Sequence, residues 1–195
     1  LLKYLQRFGI AIKGKRVLDL GSGIGGYSEE MAKYGARIIS LDLIRPSRKL
    51  VPGCVPVIAN ALSIPLCDEA ADFIFCASLI EHVSDPGRLL AGIQRTLMKG
   101  GYCYLSFPPF YSPLGGHDFS PFHYLGEYWA IRLTRRRRRG LEWVDNLYSV
   151  SPNPRSFSEI YQDWGLFKMT IAKARELIAS SGLKIANMST RYLPI

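Results

Sequence analysis

The residues Val17-Leu18-Asp19-Leu20-Gly21-Ser22-Gly23-Ile24-Gly25-Gly26 decide the fold. Lys15 to Leu20 is a short apolar run of strand character, and it ends in Gly-Ser-Gly. From Gly26 to Tyr34 the apolar spacing becomes helical, so the segment reads as strand, tight turn, helix. Gly21 and Gly23 let the backbone reverse and come close to a ligand that side chains would hold away. Gly25 and Gly26 serve either that approach or close packing of helix on sheet.

Outward from this unit the pattern repeats. Strands are expected at Ala36 to Asp42, Val55 to Ala59, Asp72 to Ala77 and Gly101 to Phe107. A helix is expected from Pro86 to Met98, with Ser84 or Asp85 as N-cap, Pro86 in its first turn, and Gly100 and Gly101 as its stop. Strands alternating with helices give an α/β, Rossmann-like fold: a mostly parallel sheet covered on both faces. Between Pro108 and Lys168 the alternation lapses. That stretch holds 13 of the 23 aromatic residues, two of the three histidines and all three tryptophans, and reads as an inserted cap. A last helix, Thr170 to Ser181, stops at Gly182 and leads into Leu183 to Ser189 as a sixth strand. The expected division is residues 1–107 as core, 108–168 as cap and 169–195 as the end of the core, all within one domain, as the length of 195 residues suits.

Composition narrows the function classes. Cys54, Cys67, Cys76 and Cys103 form no C-x-x-C pair and have no histidine at metal-ligand spacing, so they read as buried reduced thiols and no metal is assigned. No apolar run reaches membrane-spanning length, and Leu1 to Phe8 is an amphipathic helix rather than a signal core; the expected location is cytoplasmic. The formal net charge of +9 is concentrated, because Arg135 to Arg139 supply five positive charges in one run. Such a run reads as a solvated face, or as a contact for anionic lipid, phosphate or nucleic acid. The chain starts without Met and its end falls inside an apparent strand, so a final antiparallel strand is expected to be truncated.

The glycine spacing admits two cofactor classes. Gly21, Gly23 and Gly26 satisfy the dinucleotide fingerprint, with Asp42 placed as the ribose-binding acid of an NAD-type oxidoreductase. Asp19 favours the other class. A carboxylate just ahead of the turn repels a diphosphate, whereas it attracts the ammonium of a zwitterionic sulfonium ligand. Asp42, at the end of the second strand, can accept from two ribose hydroxyls of such a ligand.

In order and at their spacings, VLDLGSGIG, Asp42, Asn60-Ala61, Ile64-Pro65-Leu66 with Asp72-Phe73, Ser78-Leu79-Ile80-Glu81-His82-Val83 and Leu97-Met98-Lys99-Gly100-Gly101 resemble the class I S-adenosylmethionine-dependent methyltransferases, in the branch labelled methyltransferase type 11. The resemblance covers about Lys15 to Phe107. It implies a seven-stranded sheet, of which six strands fit here, and S-adenosylmethionine as the methyl donor. It also implies the donor's contacts: Gly21, Ser22 and Gly23 against the methionine part, Asp42 at the ribose, Asn60 and Ala61 at the adenine edge, and Ser78 and Leu79 as the floor; with Asp19, Gly25 and Leu43 these make up the expected cofactor-binding set. Asn60 stands where that family often has Asp, and it keeps an acceptor oxygen.

Methyl transfer from a sulfonium needs alignment and a route for the acceptor's proton. His82, following the fourth strand, is the first candidate base; otherwise it hydrogen-bonds loop backbone. His117, beside Asp118, and His123 are further candidates on a lid hinged at Gly115 and Gly116, unless they only pack the cap. Ser106 to Tyr111 (SFPPFY) looks like the amine-cradling loop of nucleic-acid methyltransferases, but it follows the fifth strand rather than the fourth, so a nucleic-acid substrate is not expected. Phe110, Tyr111, Phe122, Tyr124 and Trp129 would bury an apolar or stackable acceptor, or else form the cap's own core. Gly115 to Ala130 is similar to insertions in actinobacterial-type methyltransferases of sugars or glycolipids. The expected activity is O-methylation of a small molecule, sugar or glycolipid. The arginine run is a candidate peripheral membrane contact beside its reading as a solvated face, and an RNA- or membrane-binding module on the same scaffold is the third reading.

Overall fold

Alternation along the strands builds the molecule. In β1 (Arg16–Leu20), Val17 faces one side of the sheet and Leu18 and Leu20 the other. In β4 (Ala71–Ala77), Phe73 and Phe75 join Val17 while Ile74 and Cys76 join Leu18. Both faces are apolar, as a parallel sheet covered by helices requires. The first face packs against α1 (Leu2–Arg7) and α2 (Gly26–Lys33) through Leu5 and Met31. The second packs against α3 (Pro86–Thr96) through Leu89, Leu90 and Ile93. The computed structural model describes residues 2–45, 51–141, 148, 153–161 and 165–190.

With β2 (Arg37–Asp42), β3 (Cys54–Ile58) and β5 (Leu97–Ser106), the strands form one parallel sheet in the order β3-β2-β1-β4-β5. This is the expected Rossmann-like architecture. Its strand order reverses between β1 and β4, so the crevice at their carboxyl ends is where such a sheet binds ligands. Arg16 fastens that pair at the opposite end, with its backbone N–H and guanidinium both donating to Asp72.

Two expectations about strands are corrected. Leu183 to Ser189 is not a strand; five strands, not six, are present among the described residues. A strand persists only where a neighbour takes its backbone hydrogen bonds, and β5 pairs only with β4. The fifth strand also starts earlier than expected, at Leu97 instead of Gly101. A register shift, with Gly100 at φ +77°, lets Leu97 pair with Ala71 before Tyr102 pairs with Phe73. The thiols are corrected too: all four cysteines are free, but only Cys76 is buried and Cys67 is exposed.

The cap has its own core. The rings of Phe119 and Phe157 stack at 4.6 Å, both fully buried, among Phe110, Ile131, Ile160 and Leu166. Its helices are α4 (Glu127–Arg137) and α5 (Phe157–Tyr161), followed by α6 (Ile171–Ser180), which returns to the sheet through Ala174. Of the aromatic residues expected to bury an acceptor, Phe110 belongs to this core, whereas Tyr111, Tyr124 and Trp129 are exposed. Trp143 and Trp164 lie outside the described residues.

Candidate active site

The glycine turn sits where β1 meets the crevice. Gly21 has φ +75°, a conformation that strains any side chain, and a Cβ there would press on Leu79 Cδ1 at 3.0 Å. The Gly21 and Ser22 N–H groups donate to Leu41 O, which ties the turn to β2. A Cβ on Gly23 would meet nothing within 4 Å, so its backbone opens onto free space. Gly25, at φ +86°, is the N-cap of α2.

Two carboxylates flank this turn. Asp19 is 2% exposed and accepts from the Ser28 hydroxyl at the start of α2. Burial pushes its carboxyl up to about 6, against the lowering effect of Ser28, and Asp42 adds to the rise. Asp42 accepts from Gly23 N–H at 2.8 Å on one oxygen and from Ile44 N–H at 3.2 Å on the other. Each of its oxygens keeps a second acceptor direction for a hydroxyl. Leu43 follows, 44% exposed. Asn60, at the end of β3, caps the short turn Ala61–Ser63 by accepting from Leu62 N–H; Ala61 is buried beneath it. Ser78, at φ +51°, ends β4, and Leu79 packs on Gly21. The turn and residues 42, 60 and 78 thus share the carboxyl edge of four adjacent strands.

Immediately after Leu79, the 3-10 turn Ile80–His82 buries Glu81 and His82, at 1% and 9% exposure. His82 Nδ1–H donates to Gly165 O at 2.6 Å; a carbonyl can only accept, so this fixes the proton on Nδ1 and leaves Nε2 its lone pair. Burial lowers the pKa of His82, in favour of the neutral ring. The cap delivers His117, whose ring lies 4.7 Å from that of His82. Glu81 Oε1 is 3.7 Å from His117 Nε2 and 3.9 Å from His82 Nε2. A strap at 165–169 holds the two parts together: Gly165 N–H donates to His82 O, Phe167 N–H to Glu81 O, and Phe110 N–H to Met169 O.

Three comparisons bear on the family and the fold. The family model described as a methyltransferase domain matches residues 18–105. Over those residues the chain carries a methyltransferase domain. An uncharacterized methyltransferase of Mycobacteroides abscessus is 26% identical to it over 206 residues, 90% of this chain and 77% of that one. Another, from Mycobacterium ulcerans, is 30% identical over 155 residues, 76% of this chain and 60% of that one. The methyltransferase structure from Mesorhizobium loti superposes with a TM-score of 0.62 over 95% of this chain and 81% of its own, at 17% identity, which shows a shared fold.

For a methyltransferase the dinucleotide reading of the turn lapses. The site suits S-adenosylmethionine on chemical grounds: acids at both ends of an open glycine turn match a ligand with an ammonium at one end and a ribose diol at the other.

Of the candidate bases, His82 and His117 are brought together. His123 is not part of that group. It is 1% exposed inside the cap, its ring against Phe110 and Tyr124. What the sequence reading missed is Glu81, adjacent to a chosen residue yet assigned no role. The pair Glu81-His82 was visible as letters, but its partner His117 comes 35 positions later, and only the fold closes that gap.

The arginine run divides. Arg135 lies over the Tyr148 ring at 5.1 Å, and Arg138 donates to the carbonyls of Asp118 and Ser120. Arg137 lies over the Phe122 ring at 5.9 Å, and Arg135, Arg136, Arg137 and Arg139 are all exposed. Among the described residues no helix is long and apolar enough to cross a membrane.

Proposed function

We propose that this methyltransferase binds S-adenosylmethionine at the Asp19–Asp42 turn and methylates an oxygen of a small molecule, sugar or glycolipid. The observation that carries the oxygen reading is the cluster of buried Glu81 and His82 with partly exposed His117, which begins two residues past the Leu79 that packs on the glycine turn. Bound there, S-adenosylmethionine supplies a methyl group on a sulfonium. Asp19 holds its ammonium and Asp42 its ribose, while Asn60 and Ala61 edge the adenine. The cluster then receives the polar end of the acceptor and favours loss of a hydroxyl proton, because nitrogen lone pairs and a carboxylate converge where water is scarce. The apolar remainder of the acceptor lies against exposed cap rings such as Tyr111 and Tyr124.

The test is transfer of a tritiated methyl group from S-adenosylmethionine to lipid, sugar and RNA extracts. Label is expected in lipid or sugar, as an ether that survives mild base. His117→Ala should lower kcat by at least roughly 10-fold with little change in donor binding, within the 10²–10⁴ range usual for proton-transfer groups or somewhat below it. Label confined to amines or RNA sinks the oxygen reading.

As a partner surface we propose contact with anionic lipid. α4 exposes Tyr128 and Trp129 beside Arg132, and its C-terminal end carries Arg136 and Arg137. Flotation with vesicles containing phosphatidylglycerol should recover the protein at low salt. Replacing Arg136, Arg137 and Arg139 with serine should cut recovery several-fold. Equal recovery on neutral vesicles, or salt-sensitive RNA binding in its place, overturns this surface.

A further inference from the structure

We infer that Glu81, His82 and His117 form a binding site for one divalent first-row transition-metal ion, placed to hold the acceptor's oxygen. The inference rests on the oxygen-methylation reading for the use of the ion, but not for its presence.

The first ground is an orphaned charge. Both carboxylate oxygens of Glu81 are buried without a hydrogen-bond partner, in a side chain 2% exposed. A carboxylate deprived of water and of donors is costly and is expected beside a cation. His117 Nε2 is likewise buried and without a hydrogen-bond partner.

The second ground is geometry. One donor atom from each of the three residues lies within 4.8 Å of the others. Around a tetrahedral ion with bonds near 2.1 Å, neighbouring ligand atoms are about 3.4 Å apart. The separations of 3.7 and 3.9 Å from Glu81 Oε1 are within a few tenths of an ångström of that spacing, and the two imidazole donors, no more than 4.8 Å apart, turn toward each other to complete it.

The third ground is the support behind the donors. His82 Nδ1–H is anchored on Gly165 O, which orients the ring and leaves Nε2 as a lone-pair donor, the arrangement usual behind metal-bound imidazoles. His117, 26% exposed, leaves a way in for an ion. Two imidazoles with one carboxylate suit zinc, cobalt, manganese, nickel or ferrous ions better than magnesium or calcium, which prefer oxygen. Three protein ligands leave positions open for oxygens of the acceptor, and an oxygen bound to such an ion loses its proton at lower pH. Vicinal hydroxyls, as on a sugar or a catechol, fill two open positions at once. The cluster begins two residues beyond Leu79, which packs on the cofactor turn, so ion and methyl donor share one loop.

The experiment uses the full chain, stripped with chelator and titrated with Co²⁺ while visible ligand-field absorption is recorded. One Co²⁺ per chain is expected, with the intense bands of a four- or five-coordinate site. Glu81→Gln and His117→Ala are each expected to weaken binding by roughly 100-fold or more, since even residues behind the ligands are worth 10- to 100-fold. Because His117 is partly exposed, its variant serves if Glu81→Gln fails to fold; unchanged S-adenosylhomocysteine affinity verifies folding. Absence of Co²⁺ binding, or equal binding by wild type and the His117→Ala variant, overturns the site. The two readings fail separately. Methylation of oxygen without any bound ion removes the metal and keeps the function, whereas Co²⁺ bound at this cluster with methyl delivered only to nitrogen or carbon does the reverse.

Discussion

Asp19→Asn is expected to weaken S-adenosylmethionine binding by roughly 30- to 1,000-fold while leaving the ligand-free protein as stable as before, or more so. Removing one partner of a buried charge pair costs about 2–5 kcal/mol of binding. The ligand-free protein gains on the same change. Its carboxylate is 2% exposed and burial raises its pKa to about 6 from an ordinary 3.8, so ionised Asp19 is a burden until a cation arrives. Asparagine keeps an acceptor for the Ser28 hydroxyl and carries no charge.

The sign of the pH effect follows. A carboxyl whose folded pKa is raised stabilises the fold at pH below about 4, and that contribution is lost as pH rises through about 6; at full linkage the loss is about 3 kcal/mol. Donor binding runs the other way. It should strengthen as pH rises through about 6, where Asp19 ionises, and weaken again as the ligand's amino group loses its proton, near the α-amino value of about 8. Calorimetry from pH 5 to 9, in buffers of differing ionisation enthalpy, reads both the affinity and the protons released. Affinity that is flat between pH 5 and 7, or unchanged in the asparagine variant, would falsify the pairing of Asp19 with the ammonium.

Phe119→Ala should destabilise the cap by about 3–5 kcal/mol, the usual cost of deleting a fully buried aromatic side chain. That is a large part of the 5–15 kcal/mol by which domains are commonly stable. Its ring is completely buried and stacks on Phe157, so no neighbour can fill the space without moving the cap core. The damage should reach the active site. Cap and sheet are joined through the 165–169 strap, whose Gly165 and Phe167 bond the backbone and imidazole of the Glu81-His82 turn. Denaturant titration should show a midpoint shift of this size, and hydrogen exchange should show faster exchange at Gly165 and Phe167. Leu114→Ala, at a residue 59% exposed, should stay within about 0.5 kcal/mol. A Phe119→Ala protein with unaltered exchange at the strap would separate cap stability from the site.

The sequence by itself determined the glycine turn and the strands of the half proposed to hold the cofactor. Glycine at 21, the acid at 19 and the short apolar strand runs are local signals, each within a few residues of the turn or strand it specifies; Asp42 marks the end of its own strand, and parallel pairing of β1 with β2 brings it to the turn. The parallel sheet and its carboxyl-edge crevice follow from the same local pattern repeated. Only the tertiary structure decided the half proposed to receive the acceptor. It joined Glu81 and His82 to His117 across 35 residues, removed His123 to the cap interior, and turned Phe110 and Phe119 into core while leaving Tyr111 and Trp129 outside. It also withheld the strand expected at 183–189. Such outcomes depend on which distant surfaces meet, on backbone partners and on desolvation, quantities that no run of neighbouring residues carries.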